Sequence, residues 1–187
     1  NVEISDYGTE EAEGYFDHLW KDALKITEDD VFRRELIGVL NNSTLHWIVA
    51  GLGTKLTKSF IDVNLAGPGS TALMSGAYFV DGNQHLDYDT EQNHLVPHTT
   101  SDLLYKGALK DEARSVWQGN IHVYPGAQRT DAYQASRNLS LSHTARADSI
   151  PGLEIEADDV RCTHGAAISQ VDQEEISYLM ARGIPYK

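Results

Sequence analysis

Hydrophobic and polar residues alternate along much of the chain after residue 40. Apolar or part-apolar side chains recur at every second position, and polar ones fill most of the positions between them. This period of two is typical of β-strands that bury one face. The alternation is clearest in four runs: Ile61, Val63 and Leu65; Leu86, Tyr88 and Thr90; Ile121 and Val123; Leu153, Ile155 and Ala157.

Turn-forming residues separate these runs. Gly-Pro-Gly occupies 67–69, Asp-Gly-Asn occupies 81–83, and Pro-Gly occupies 125–126. Between the runs there is no helical pattern of ten or more residues, which disfavours a doubly wound α/β sheet. A mainly β fold is therefore predicted. A sandwich, a barrel and a stacked β-solenoid all remain open, because the runs recur without a crisp repeat.

Both ends of the sequence differ from this β pattern. Apolar residues between 12 and 24 follow helical spacing, with acidic residues largely off that stripe. Near the other end, Asp172 and Glu175 resemble a capping box, and Gly183 suits the position just after a helix. We therefore divide the chain into an N-terminal helical segment at 1–35, a β core at 36–171 and the start of a C-terminal helical region at 172–187.

Charge and composition exclude several classes of protein. The 28 Asp and Glu residues exceed the 15 Lys and Arg residues, giving a net charge of −13. Such a field repels phosphate backbones and anionic lipids, so we expect neither nucleic acid nor membrane as a partner. The single cysteine rules out an internal disulfide and is typical of a reducing compartment, which predicts a cytoplasmic location.

One candidate metal site uses His85, Asp87 and His143. Two residues apart on a strand, His85 and Asp87 share a face, and a facial iron triad needs two histidines and one carboxylate. This pattern indicates a cupin-like or β-helical non-haem iron enzyme as an alternative function. The same alternation also describes an ordinary polar face.

Cys162 and His164 form a second candidate site. They are also two residues apart in a strand-like run, so thiol and imidazole share one face and suit iron, zinc or copper. One Cys and one His cannot complete a four-ligand site, so further ligands must come from elsewhere or from a second chain. The structural alternative is a small buried cysteine beside a satisfied histidine.

The sequence offers no complete catalytic set. It contains no glycine-rich nucleotide loop and no identifiable nucleophile, base and orienting acid. We therefore expect this chain to have no enzymatic turnover of its own.

Several longer motifs follow one another in the second half of the chain. They include VWQGNIHV at 116–123, ADSIPGLEI at 147–155, ADDVRCTHGA at 157–166 and YLMARGI at 178–184. In this order they resemble the SufB/SufD family of iron–sulfur cluster assembly proteins. The resemblance extends over about 60–185, as a fragment of the family's core domain, and the RCTHGA run is more similar to the SufD branch.

That resemblance implies a right-handed parallel β-helix at 36–171 with short flanking helices. It also implies a scaffold that pairs with a SufB-like paralogue or with itself, while a SufC-like ABC ATPase binds the C-terminal helices. His164 is then expected at the pairing surface, where a nascent cluster is held transiently, with Cys162 beside it as an auxiliary ligand. We expect the imidazole to point outward towards the partner, and no cluster to be bound by this chain alone.

Overall fold

The computed structural model describes residues 30–170 and 172–185. Within them the chain forms ten strands, joined by short turns, and one helix. The elements are β1 (Asp30–Val39), β2 (Thr44–Leu52), β3 (Leu56–Leu65), β4 (Thr71–Val80), β5 (His85–His94), β6 (Thr100–Leu109), β7 (Arg114–Val123), β8 (Asp131–Ser140), β9 (Arg146–Ile155), β10 (Arg161–Gln170) and α1 (Gln173–Ala181).

The strands form two parallel sheets of five. Sheet A has the order β1-β3-β5-β7-β9, and sheet B has the order β10-β8-β6-β4-β2. Consecutive strands belong to opposite sheets, so the chain winds from one sheet to the other and stacks each coil on the one before. This architecture is a β-solenoid of about five coils. The predicted mainly β fold and β-helix are confirmed, and the sandwich and barrel alternatives are wrong.

Coil length varies along the solenoid. His85 pairs with Leu56 and Arg114 pairs with His85, an offset of 29 residues in each case. The offset is 26 residues between Asp30 and Leu56, and 32 residues between Arg114 and Arg146. Because turns of different length separate strands of nearly constant length, the coils leave no crisp sequence repeat.

The core lies between the two sheets. In each middle strand alternate residues point inward, and the predicted inward residues of β3, β5 and β7 are all buried. An aromatic column runs through the core, with ring centroids 5.6 Å apart for Tyr78 and Tyr88, 5.5 Å for Tyr88 and Tyr105, and 6.5 Å for Tyr105 and Trp117. A Cβ on Gly119 would overlap the Trp117 ring, so only glycine fits beside it.

The three predicted turn sequences all lie between strands. Gly69, Gly82 and Gly126 have φ values of 74°, 55° and 84°, the left-handed conformation that glycine adopts without a Cβ clash. These glycines let the chain turn within a few positions at three corners, whereas Asn42, His98, Asp111 and Arg129 adopt positive φ at others.

The helical end of the chain agrees with its sequence signals. The Asp172 carboxylate accepts a hydrogen bond from the Glu174 N–H at 2.9 Å, which caps the start of α1. Gly183 follows the helix with a φ of 85°, and its N–H donates to the Met180 carbonyl. Within the described residues no helix has the length and apolar character needed to cross a membrane.

The described strands begin before the boundary at 36. β1 starts at Asp30, so residues 30–35 belong to the first coil. The helix predicted between 12 and 24 lies outside the described residues.

Candidate functional site

The C-terminal end of the solenoid exposes residues that would be interior in a middle coil. β9 and β10 are the edge strands of the two sheets there. Residues of β10 at alternate positions pair with the buried residues of β8, and those of β9 pair with the buried residues of β7. We call those of their inward-register side chains that are not buried the terminal face: Ser149, Pro151, Leu153, Ile155, Cys162, His164, Ala166, Ile168 and Gln170.

Cys162 and His164 both belong to the terminal face. Cys162 pairs with Ala132 and His164 pairs with Gln134, and both β8 partners are buried. The prediction that thiol and imidazole share one face is confirmed. The expected outward orientation is wrong, because His164 continues the inward column of β8. It is nevertheless exposed, since no described coil stacks on β10.

The Cys162 thiol is half-buried beneath this face. It packs with Ala157 and Val160 against the small cluster of Ile121, Val123, Ala127 and Ala132. Burial raises the pKa of the Cys162 thiol, and the nearby Asp131 carboxylate raises it further. The free thiol is therefore protonated near neutral pH, and a metal must displace that proton in order to bind.

The His164 imidazole is exposed and has no hydrogen-bond partner among the residues the structure describes. His94, another inward histidine, shows the contrast. Its Nδ1 lies 2.7 Å from the Thr99 hydroxyl and its Nε2 lies 2.9 Å from the Ser101 hydroxyl. Burial lowers the pKa of His94 to about 4. Both ring nitrogens of His94 are engaged, whereas those of His164 are available to a ligand.

Polar contacts fasten the start of β10 to the preceding coil. The Arg161 guanidinium binds the Asp131 carboxylate, with Nε 3.0 Å from Oδ1. This hydrogen bond lowers the pKa of Asp131. In the turn before β10, the Asp159 N–H donates to the Gln128 side chain at 2.7 Å. These contacts hold the strand that carries Cys162 and His164 in register.

The alternative iron triad is not assembled. The Asp87 carboxylate lies 3.0 Å from the Lys58 ammonium, an ion pair on the outer face of sheet A. His85 lies at the start of β5, and His143 lies in the turn between β8 and β9. Among the described residues, no group of three His, Cys, Asp or Glu side chains converges as a metal site.

Sequence reasoning missed a second histidine near the C-terminal coil. The Nε2 atom of His122 lies 2.9 Å from a Glu156 carboxylate oxygen, and its Nδ1 atom lies 3.9 Å from Glu154. The imidazole also stacks on Tyr124, with ring centroids 3.9 Å apart. The two carboxylate contacts fasten β9 and the residue after it to β7 on the outer face. They join residues over 30 positions apart, so only the coil register reveals them.

Comparison with known proteins identifies the family. The sequence model described as "SUF system FeS cluster assembly, SufBD core domain" matches residues 29–187.

The chain belongs to the SufBD family of iron–sulfur cluster assembly proteins.

Individual relatives agree with this assignment. An iron-sulfur cluster assembly SufBD family protein of Mycobacterium leprae is 38% identical over 151 residues, which cover 76% of this chain and 38% of that protein. The iron-sulfur cluster assembly protein SufD of Escherichia coli is 35% identical over 133 residues, covering 71% of this chain and 31% of SufD. The chain thus spans less than two fifths of the length of these SufBD relatives. The family resemblance and the link to iron–sulfur cluster assembly are confirmed.

Proposed function

We propose that this chain is a scaffold component of a SufBCD-type assembly complex. It pairs through the terminal face with a second SufBD chain, either a SufB-like paralogue or a copy of itself. The nascent iron–sulfur cluster is cargo that the pair holds transiently at this junction. The observation that carries the proposal is the open terminal face, on which His164 is exposed and Cys162 is half-buried beside it.

The edge strands support pairing at this end. β9 and β10 each have one side with no neighbouring strand among the described residues, so their backbone groups are available to another chain. The surface between them is apolar, with Leu153 38% exposed, Ile155 43% and Ile168 51%. Burying these side chains against a partner removes apolar area from water, which favours association.

The ligand chemistry supports an incomplete site. An imidazole and a thiol suit iron, but two side chains leave the remaining coordination positions open. In the proposed pair, His164 ligates from this chain, Cys162 is auxiliary, and the partner supplies the other ligands. Because the Cys162 thiol holds its proton, its participation depends on deprotonation by the metal.

Coupling to a SufC-like ABC ATPase is assigned to the C-terminal helical region at 172–187. The exposed residues of α1 include Tyr178, Leu179 and Met180, at 58%, 45% and 51% exposure. An apolar helix surface of this kind suits a partner groove. We assign ATP hydrolysis to the ATPase and no turnover to this chain, which we place in the cytoplasm.

The test is anaerobic reconstitution of the full complex, containing this chain, its SufB-like partner and the ATPase, with iron and sulfide. Cluster formation is followed by visible absorbance. We expect His164→Ala to abolish the absorbance and the matched control Thr163→Ala, at the neighbouring outward position, to retain it. Full cluster yield with His164→Ala, in a complex that still assembles, would show that this histidine does not hold the cargo.

A further inference from the structure

The N-terminal end of the solenoid has a different inner surface from the terminal face. β1 and β2 are the edge strands there. Within β1, Arg33 pairs with Ser59 and Glu35 pairs with Ile61. Ser59 and Ile61 are inward residues, only 3% and 2% exposed. Arg33 and Glu35 therefore occupy the inward positions of the first described coil.

These two charges form an ion pair across the end of the core. The Arg33 Nε atom lies 2.6 Å from the Glu35 Oε1 atom, and the side chains are 51% and 30% exposed. The positive charge of Arg33 also offsets part of the burial-driven rise in the pKa of Tyr88 and Tyr105, two members of the aromatic column. The guanidinium thus lies close to the end of that column, where its outer side is still hydrated.

Inward-pointing charges on an edge strand oppose strand addition. A chain that stacked on β1 would bury the Arg33–Glu35 ion pair. The two charged groups would then lose hydration, and this cost offsets the stabilisation that new backbone hydrogen bonds contribute to association. The inward positions of β10 contain no Asp, Glu, Lys or Arg, since they are Cys162, His164, Ala166, Ile168 and Gln170. The edge strands β1 and β10 therefore differ in their tolerance of a neighbouring strand.

We infer that the Arg33–Glu35 pair closes the N-terminal end of the solenoid to edge-to-edge association. Chains then associate through one end only. Association then stops at closed pairs and does not grow into filaments. This consequence rests on the proposed pairing through the terminal face. The closure of the N-terminal end itself does not depend on that pairing.

The test isolates the N-terminal end by placing Ile168→Asp in the 187-residue chain, which puts a charge on the terminal face. Arg33→Val with Glu35→Val is added to this background, and self-association is measured by sedimentation velocity. We expect the double replacement to tighten self-association by at least about tenfold, because an apolar inner surface replaces a charged one.

Two control variants separate charge position from charge content. Arg34→Val with Asp62→Val removes an outward cross-strand ion pair, 3.2 Å long, and is expected to leave self-association unchanged. Arg33→Glu with Glu35→Arg keeps both inward charges, and is also expected to stay at the background level. Circular dichroism checks that every variant remains folded.

The outcomes decide the inference independently of the proposed function. If Arg33→Val with Glu35→Val associates no more tightly than the outward control, the N-terminal end is not closed by these charges and the inference is wrong. If wild type fails to pair while this double replacement associates in the Ile168→Asp background, the pairing proposal fails and the inference stands. With an intact terminal face, Arg33→Val with Glu35→Val should form species larger than dimers.

Discussion

β8 and β10 are neighbouring strands of sheet B with matched registers, yet their inward residues have different surroundings. Gln134 and Asn138 of β8 are 0% and 3% exposed, and their side chains bond to other residues of the core. His164 and Ile168 pair with them one coil further on and are exposed. Strand register thus decides which way a residue points, and the next coil decides whether it is buried. In the last described coil, an inward residue becomes a surface residue without a change of orientation.

Ile121 and Leu153 pair at one inward position of β7 and β9. We expect the largest difference in unfolding free energy lost on replacement by Ala between these two residues. Ile121 is 0% exposed, so Ile121→Ala should lower the free energy of unfolding by about 3 kcal/mol through lost burial and a cavity. Leu153 is 38% exposed, so we expect Leu153→Ala to cost less than about 1 kcal/mol. Urea unfolding in the Ile168→Asp background, which we expect to be monomeric, measures both. Equal losses would show that the last coil is as well packed as the middle.

The buried His94 predicts a dependence of stability on pH. Its pKa is about 4 in the folded chain and about 6.5 for an unperturbed histidine, so between those values the unfolded chain binds more protons. The free energy of unfolding should therefore fall as pH drops from 6.5 to 4, by about 3 kcal/mol from this group. Urea unfolding across that range, compared between wild type and His94→Gln, isolates its contribution. If the two curves fall in parallel, burial of a neutral His94 does not govern acid stability.

We expect a smaller difference in unfolding free energy lost on replacement by Ala between Gln134 and His164. The Gln134 amide donates to the carbonyls of Gly119 at 3.2 Å and Gly152 at 2.9 Å. Gln134→Ala should therefore cost about 2 kcal/mol of unfolding free energy, because buried acceptors lose their donor. His164→Ala should change it by less than about 0.5 kcal/mol, since the exposed imidazole has no partner in the described part of the chain. Thermal unfolding of both variants checks this, and a large loss for His164→Ala would favour the structural interpretation of that histidine.

Sequence patterning predicted the strands whose two faces differ in polarity. Ile61, Val63 and Leu65 alternate with more polar neighbours, and all three are buried as predicted. β8 reverses this relation: Gln134 and Ser136 point inward, whereas the exposed Leu139 points outward. Hydrogen bonds within the core satisfy that polar inner face, and hydropathy alone does not reveal it.

The candidate site was only partly predictable for a related reason. Spacing placed Cys162 and His164 on one face, and the family motifs indicated their role. The direction of that face depends on the 30-residue offset between β8 and β10, and turn lengths vary too much for the sequence to show this offset. The openness of the face depends on the stacking of whole coils, which is a property of the fold and not of any local pattern.

In the proposed pair, the second SufBD chain covers the terminal face, in which Cys162 is half-buried. Cys162 is the single cysteine of the chain, so its alkylation by a maleimide reports on this face alone. We predict that the rate constant for alkylation falls as protein concentration rises and pairs form, or when a SufB-like paralogue is added. In Ile168→Asp the rate constant should stay constant over the same range. A rate constant in wild type that does not change while sedimentation shows association would contradict the claim, because the chains would then pair through another surface.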